Sequence, residues 1–117
     1  MSQFSVVLPI RLPSVANLRE HWSAKARRTK LQRTAAQLSC RPARALLLPV
    51  VVVLTRVAPR PLDDDNLASA FKATRDGVAD ALGIDDRDAR IAWKYSQLKP
   101  DKGQPTHVRI EILEGKP

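Results

Sequence analysis

Four stretches of the chain have the apolar pattern of a β-strand: three alternate apolar and polar residues, and one is almost continuously apolar. The first runs from Gln3 to Ile10 with an apolar residue at every even position, and Pro9 restricts it to a sheet edge or marks its end. Val50 to Val57 is apolar on both faces, which is typical of a central strand covered on both sides. Ala89–Ser96 and Val108–Ile112 are predicted to form a final hairpin.

Helical spacing predicts two helices between these strands. The first begins with Ser23 as its N-cap and ends near Ser39, with Leu31 and Leu38 on its apolar side. The second runs from about Asn66 to Leu82, and its apolar face consists of Leu67, Ala70, Phe71, Thr74, Val78, Ala81 and Leu82. One of the acids Asp63, Asp64 and Asp65 is expected to cap it, and Gly83 to end it.

These elements predict one α+β domain spanning residues 1–117, in the order β-α-β-α-β-β, with a mixed sheet flanked by helices. Only 4% of the 117 residues are aromatic, so aliphatic side chains must fill a modest core. A core of this size favours a homodimer, although size alone does not require one.

Charge narrows the functional classes. The chain has 20 Lys and Arg against 12 Asp and Glu, a net charge of +8, which predicts a polyanionic partner such as nucleic acid. The lone Cys40 excludes an intrachain disulfide and fits a reducing cytoplasm. No apolar run is long enough to span a bilayer and the N-terminus does not resemble a signal peptide, so we expect a cytoplasmic protein without a membrane partner.

Acidic residues are clustered despite this charge. Asp63 and Asp65 share one side of an extended backbone, and Asp85-Asp86 follow the second helix. Carboxylates beside a phosphate backbone make sense if Mg²⁺ or Mn²⁺ lies between them. Asp86 reaches Asp63 only if the chain doubles back or a second subunit supplies it. Alternatively, each cluster is structural, one as a helix cap and the other as a loop.

Basic residues precede this acidic region, and no acid occurs between Glu20 and Asp63. Six of them are predicted to bind DNA phosphates: Lys25, Arg27, Arg28, Lys30, Arg33 and Arg60. Alternatively, the run from Lys25 to Arg33 is only a solvated helix face. Trp22 lies beside them and could stack on a base, but packing in a core or interface is favoured. Trp93 and Tyr95 are predicted to be core residues.

The run Asp63-Asp64-Asp65-Asn66-Leu67 resembles the D-x-D-N-L pattern of the RusA family of Holliday junction resolvases. Asp80-Ala81-Leu82 is similar to that family's D-A-L segment, Asp85-Asp86 to its paired acids, and Pro13-Ser14 to its opening region. The family commonly has a lysine three residues after the asparagine. Ser69 stands there in this chain, and the nearest lysine is Lys72.

The resemblance implies a homodimeric, Mg²⁺-dependent endonuclease that cuts branched DNA by paired symmetric nicks. Asp63, Asp65 and Asp86 would be the catalytic, metal-binding acids, and Lys72 is a candidate for stabilising transition-state charge. Two alternatives remain open: a basic DNA-binding module without catalysis, and a nuclease of other structural specificity.

Overall fold

A computed structural model describes residues 3–13 and 21–117, so Ser14 lies outside the described residues. The described chain forms a single α+β domain with a four-stranded mixed sheet and three α-helices. In chain order the elements are β1 (Gln3–Leu8), α1 (Trp22–Ser39), a 3-10 turn (Arg41–Ala45), β2 (Val50–Val57), α2 (Asp64–Ala70), α3 (Lys72–Leu82), β3 (Ile91–Leu98) and β4 (His107–Glu114). No helix of this described part is long and apolar enough to cross a membrane.

The sheet has the strand order β1-β4-β2-β3, with β2 and β3 parallel and the other pairs antiparallel. The predicted edge position of β1 and central position of β2 are confirmed. The predicted hairpin of the last two strands is wrong, because β2 lies between β3 and β4. Pairing on both sides satisfies the backbone of β2, the most apolar strand, which would otherwise be costly to bury.

The core lies between one face of this sheet and the helices. Its fully buried side chains include Phe71 and Val78 from the helices and Leu54, Val108 and Ile110 from the strands. The seven apolar-face residues predicted for the second helix are all buried. The predicted single helix is interrupted at Phe71, however, where the Phe71 N–H is shared between the carbonyl oxygens of Leu67 and Ala68. The structure therefore has two helices, α2 and α3, in this region.

Helix α1 differs from its predicted orientation. Its N-cap is His21 rather than Ser23, and the imidazole accepts a hydrogen bond from the Ser23 N–H. Leu31 is 70% exposed, whereas Gln32 and Ala36 are buried. The predicted apolar side of α1 was wrong, because this helix packs on its neighbour through small side chains rather than through leucines.

Gly77 explains how α1 packs so closely on α3. A Cβ at Gly77 would lie 2.7 Å from Ala36 Cβ and would overlap the carbonyl oxygen of Arg33. Both groups belong to α1, and a carbonyl in a helix cannot move aside without breaking the helix. The close approach of the two helices therefore requires glycine at this position.

The second face of the sheet is not covered by a described helix, because the apolar residues that pack with helices lie on the first face. Val51, Val53 and Thr55 lie along the centre of this second face, where Val51 and Thr55 are buried and Val53 is partly exposed. Val7 and Leu98 lie on it in the two edge strands and are 57% and 50% exposed. This face, which we call the uncovered face because no described helix packs on it, thus combines a largely buried centre with exposed apolar edges.

Candidate nucleic-acid interface

A cavity of about 700 Å³ opens between α1 and the α2–α3 segment and extends to the loop before β3. We call it the basic groove. Five of its lining side chains are cationic and two are carboxylates: Lys25, Arg28, Lys72, Arg75 and Arg87 with Asp76 and Asp86. The groove therefore carries an excess of positive charge, and its carboxylates lie among cations.

Asp86 is surrounded by positive charge in this groove. Its Oδ2 lies 3.3 Å from Lys72 Nζ and 3.2 Å from Arg75 Nε, and its side chain is 17% exposed. Burial by itself would raise the pKa of Asp86, but hydrogen bonding and charge from Lys72, with charge from Arg75, outweigh it and lower the pKa. The carboxylate is therefore ionised at neutral pH.

Lys72 contacts a second acid, since its Nζ lies 3.0 Å from Oδ1 of Asp76, one helical turn further along α3. Hydrogen bonding to Asp76 is the main cause that raises the pKa of Lys72; burial opposes it, and hydrogen bonding to Asp86 adds to the rise. The ammonium group therefore stays charged and is held between two carboxylates at the mouth of the groove.

Arg75 is the centre of this network and was not identified from the sequence. It donates from Nη1 to the Tyr95 hydroxyl at 2.9 Å and from Nη2 to the Asp86 carbonyl at 3.1 Å. Its guanidinium lies over the Trp93 ring, 4.7 Å from the ring centroid, a cation–π geometry. Helical spacing offered a signal, because positions 72, 75 and 76 share one side of a helix.

The loop after α3 brings Asp86 to these cations. Gly83 adopts a left-handed φ of 76°, and the Gly83 and Ile84 N–H groups bond back to the carbonyls of Asp80 and Ala79. This is the C-terminal stop that the sequence predicted. The chain then doubles back along α3, the first of the two routes expected for Asp86, but it reaches Lys72 at the start of α3.

The acidic run before α2 has different surroundings. Asp63 caps the helix, with Oδ1 accepting from the Asn66 N–H at 2.9 Å and Oδ2 from the Asn66 side-chain amide at 3.1 Å. Asp64 and Asp65 occupy the first turn, where the positive end of the helix dipole favours acids. All three aspartates are exposed. The predicted capping role is therefore confirmed for Asp63.

The predicted metal ligands Asp63, Asp65 and Asp86 do not form a metal site in this arrangement. Among residues 3–13 and 21–117, no three Asp, Glu, His or Cys side chains are placed to share an ion. Both oxygens of Asp63 accept hydrogen bonds within the helix cap, and Asp86 is ion-paired. The residues do not fit Mg²⁺ as they stand, so Mg²⁺ or Mn²⁺ binding stays a prediction from sequence.

The predicted DNA-binding residues separate into several groups. Lys25 and Arg28 line the basic groove. Arg27 and Lys30 are exposed on α1 and are not among the groove's lining residues. Arg33 is bound to Asp80, with Nε 2.7 Å from Oδ2.

The sixth of these residues, Arg60, is exposed in the loop between β2 and α2. The buried Arg56 donates to the carbonyls of Leu12 and Arg60, at 2.9 and 2.7 Å, and ties this loop to the segment that follows β1. The Gln97 side-chain amide makes a reciprocal pair of hydrogen bonds with the backbone of Leu62. The loop leading to Asp63 is therefore held at two points, Arg60 and Leu62.

Comparison with family models gave no match. A protein of Xylella fastidiosa (strain Temecula1 / ATCC 700964), described as uncharacterized, is 43% identical over 82 residues. The match covers 61% of this chain and 52% of the relative, so the chain spans about half the length of that protein. The similarity to the RusA family therefore stays a prediction from sequence motifs.

The solved structures that match include two of 2C-methyl-D-erythritol-2,4-cyclodiphosphate synthase, one with bound CDP. They are 24% and 26% identical, each covering 72% of this chain and 49% of the synthase, with TM-scores of 0.32 and 0.33. The corresponding synthase of Plasmodium vivax is 15% identical over 75% of this chain and 57% of its own, with a TM-score of 0.28.

These matches correct the predicted enzyme class. They are cyclodiphosphate synthases, whereas the sequence predicted a metal-dependent endodeoxyribonuclease that resolves Holliday junctions, and this comparison contradicts that class. We therefore do not carry the nuclease class forward. At TM-scores of 0.28 to 0.33, the synthase fold and activity are not assigned to this chain either.

Proposed function

We propose that this chain binds DNA through the sugar-phosphate backbone and that the basic groove is the binding surface. The observation that carries the proposal is the excess of cations in the groove, five against two carboxylates. Phosphate contacts by Lys and Arg supply most of the non-specific affinity of proteins for DNA. The net charge of +8 favours the approach of a polyanion over a longer range.

The arrangement of the groove cations supports this proposal. Arg75 is fixed by Tyr95, Trp93 and Asp86, and Lys72 by two carboxylates, so little side-chain entropy remains to be lost when phosphate binds. The carboxylates keep the unbound cations from repelling one another. When phosphate arrives, its oxygens can share the donors of Lys72 and Arg75, which have several N–H groups each.

Branched DNA and a homodimer belong to the same proposal. A two-fold dimer would present two identical basic grooves, and a four-way junction offers equivalent pairs of arms. The uncovered face, with Val53 partly exposed at its centre and Val7 and Leu98 exposed at its edges, supplies an apolar surface for a second copy. Sedimentation of the DNA-free protein tests this part. We expect the wild-type protein to be a dimer and Val53→Lys to be a monomer with an unchanged circular dichroism spectrum. A wild-type monomer at tens of micromolar would contradict the proposed homodimer.

The binding proposal is tested with two matched double variants on the same helix. Lys25→Gln with Arg28→Gln removes two charges that line the groove, and Arg27→Gln with Lys30→Gln removes two that do not. Fluorescence anisotropy measures the affinity of each for a four-way junction and a linear duplex over a salt series. On the duplex, the groove variant should lower the slope of log affinity against log salt by about 0.9 for each lost phosphate contact.

The outer variant controls for net charge, since both variants lose two positive charges. If the two double variants weaken DNA affinity equally, binding in the groove is contradicted. If neither variant changes DNA affinity, binding by α1 is contradicted. Strand integrity in Mg²⁺ and Mn²⁺ is followed on a denaturing gel. Intact strands are expected, and cleavage would restore the enzyme class that the structural comparison contradicted.

A further inference from the structure

Trp22, the first residue of α1, is 76% exposed in the structure. The sequence favoured core or interface packing for this side chain, and core packing is wrong. Tryptophan is the largest side chain and is strongly buried on average, so a nearly uncovered indole on a charged helix is unusual. Its exposure requires an explanation that the core of the domain does not supply.

The helical position of Trp22 places it next to the basic groove. At about 100° per residue, Lys25 and Thr29 follow Trp22 by about 300° and 700°, so all three lie within about 60° of one another on α1. Lys25 and Thr29 both line the groove. Leu31, also exposed, is nine residues from Trp22 and therefore points to the opposite side, about 180° away.

His21 fixes the surroundings of the indole. Its ring nitrogen Nδ1 accepts from the Ser23 N–H at 3.2 Å and lies 2.8 Å from the Ser23 hydroxyl oxygen. The His21 and Trp22 rings are 5.4 Å apart between centroids, with an interplanar angle of 36°. The helix cap thus holds one aromatic ring beside the other, and the first turn of α1 contains no acid.

We infer that Trp22 is a stacking platform for an unpaired base of single-stranded DNA whose phosphates lie along the basic groove. This inference rests on the proposed function, because the groove must bind the backbone for the base to reach the indole. A positively charged groove combined with an exposed aromatic side chain is the arrangement by which proteins bind single strands without sequence preference. Paired bases in a duplex keep their faces stacked on one another, so the platform favours single-stranded segments and junction ends.

The experiment compares Trp22→Ala, Trp22→Phe and Leu31→Ala. The probes are a fluorescein-labelled dT oligomer of about ten nucleotides, the same oligomer with abasic sites, and a duplex of equal length. Trp22→Ala should weaken binding to dT by about 5- to 100-fold while changing duplex binding little, and Trp22→Phe should retain most of the affinity. Leu31→Ala, which removes an exposed apolar side chain from the opposite side, should bind like the wild type. The wild-type protein should bind the abasic oligomer more weakly than dT by a similar factor. Trp22→Ala should bind the abasic oligomer and dT with equal affinity.

The outcomes separate this inference from the proposed function. If Trp22→Ala binds dT as well as the wild type while the groove variant of Lys25 and Arg28 loses duplex affinity, stacking is overturned and backbone binding stands. Equal weakening of dT and duplex by Trp22→Ala also overturns stacking, because a general loss of the helix end would act on both. If neither DNA binds to the wild type, both proposals fail.

Discussion

The acidic run at Asp63–Asp65 and the single acid Asp86 have the same chemistry, but their surroundings differ. The Asp63 carboxylate accepts hydrogen bonds from Asn66, in its own helix cap, and the whole run is exposed. Asp86 is half-buried and contacts two cations from α3, while its carbonyl accepts from Trp93 and Arg75. The conspicuous sequence motif thus forms a local cap, whereas the less conspicuous acid joins three elements of the fold. Side chains from other elements, rather than the number of adjacent acids, determine which carboxylate lies in the groove.

The largest effect expected from this difference comes from removing the centre of the Asp86 network. Arg75→Ala leaves the Asp86 carboxylate and carbonyl and the Tyr95 hydroxyl with fewer donors and removes the cation–π contact. We expect a loss of about 2–4 kcal/mol in the free energy of unfolding, because a half-buried charge loses a partner. Urea denaturation measures it. Arg75→Lys keeps the charge without the fork of donors, so its free energy of unfolding should lie between those of the wild type and Arg75→Ala. A loss below about 0.5 kcal/mol for Arg75→Ala would show that the network does not stabilise the fold.

The acidic run should respond more weakly and unequally. Asp63→Ala removes the helix cap and should cost about 1 kcal/mol, while Asp63→Ser, which can still cap, should cost much less. Asp65→Ala should change stability by less than about 0.5 kcal/mol, because the side chain is exposed in the first turn. Denaturation of the three variants checks this order. Equal costs at positions 63 and 65 would contradict a capping role limited to Asp63.

A smaller effect is expected on DNA affinity when the groove loses a carboxylate. Asp86→Asn removes a negative charge that lies beside Lys72 and Arg75, so phosphate no longer competes with it. We expect tighter DNA binding by a few-fold at low salt, decreasing as salt screens the charge. Asp65→Asn is the matched control for charge and should have less effect, since the groove lining does not include it. Equal tightening by both variants would show that only net charge matters.

The smallest expected effect is a shift in titration. The pKa of Asp86 should lie below its ordinary value of 3.8, and Lys72→Met should raise it. Since the folded-state pKa is lowered, the stability from this group is present above pH 3.8 and is lost as the pH falls through the folded-state value. The raised pKa of Lys72 means that its contribution is present below pH 10.5 and is lost as the pH rises through the higher folded-state value. NMR titration of the Asp86 side-chain carboxyl carbon measures the first value, and an unperturbed pKa would contradict the Lys72 contact.

Features controlled by neighbouring residues could be predicted from the sequence. The apolar face of the second helical segment, the cap at Asp63 and the stop at Gly83 all depend on chemistry within a few positions. The edge position of β1 and the central position of β2 followed from a proline and from apolar residues on both faces. These local rules apply whatever the rest of the chain does.

Features that depend on distant parts of the chain could not be predicted in the same way. The turn between β3 and β4 suggested a hairpin, but pairing with β2 was available to both strands. Leucines at helical spacing suggested the wrong side of α1, because Gly77 on another helix decides which side can approach. Arg75 was missed since its partners Trp93 and Tyr95 come from a strand 18 and 20 positions away along the chain.

If DNA occupies the basic groove and not the acidic run, an NMR titration will show it residue by residue. Backbone amide signals of ¹⁵N-labelled protein are followed while duplex DNA is added. Binding in the groove predicts the largest shifts at Lys25, Arg28 and Thr29 on α1 and at Lys72 and Arg75 on α3, which line the groove. Shifts confined to residues 63–65 or to the uncovered face of the sheet, with the groove signals unchanged, would contradict it.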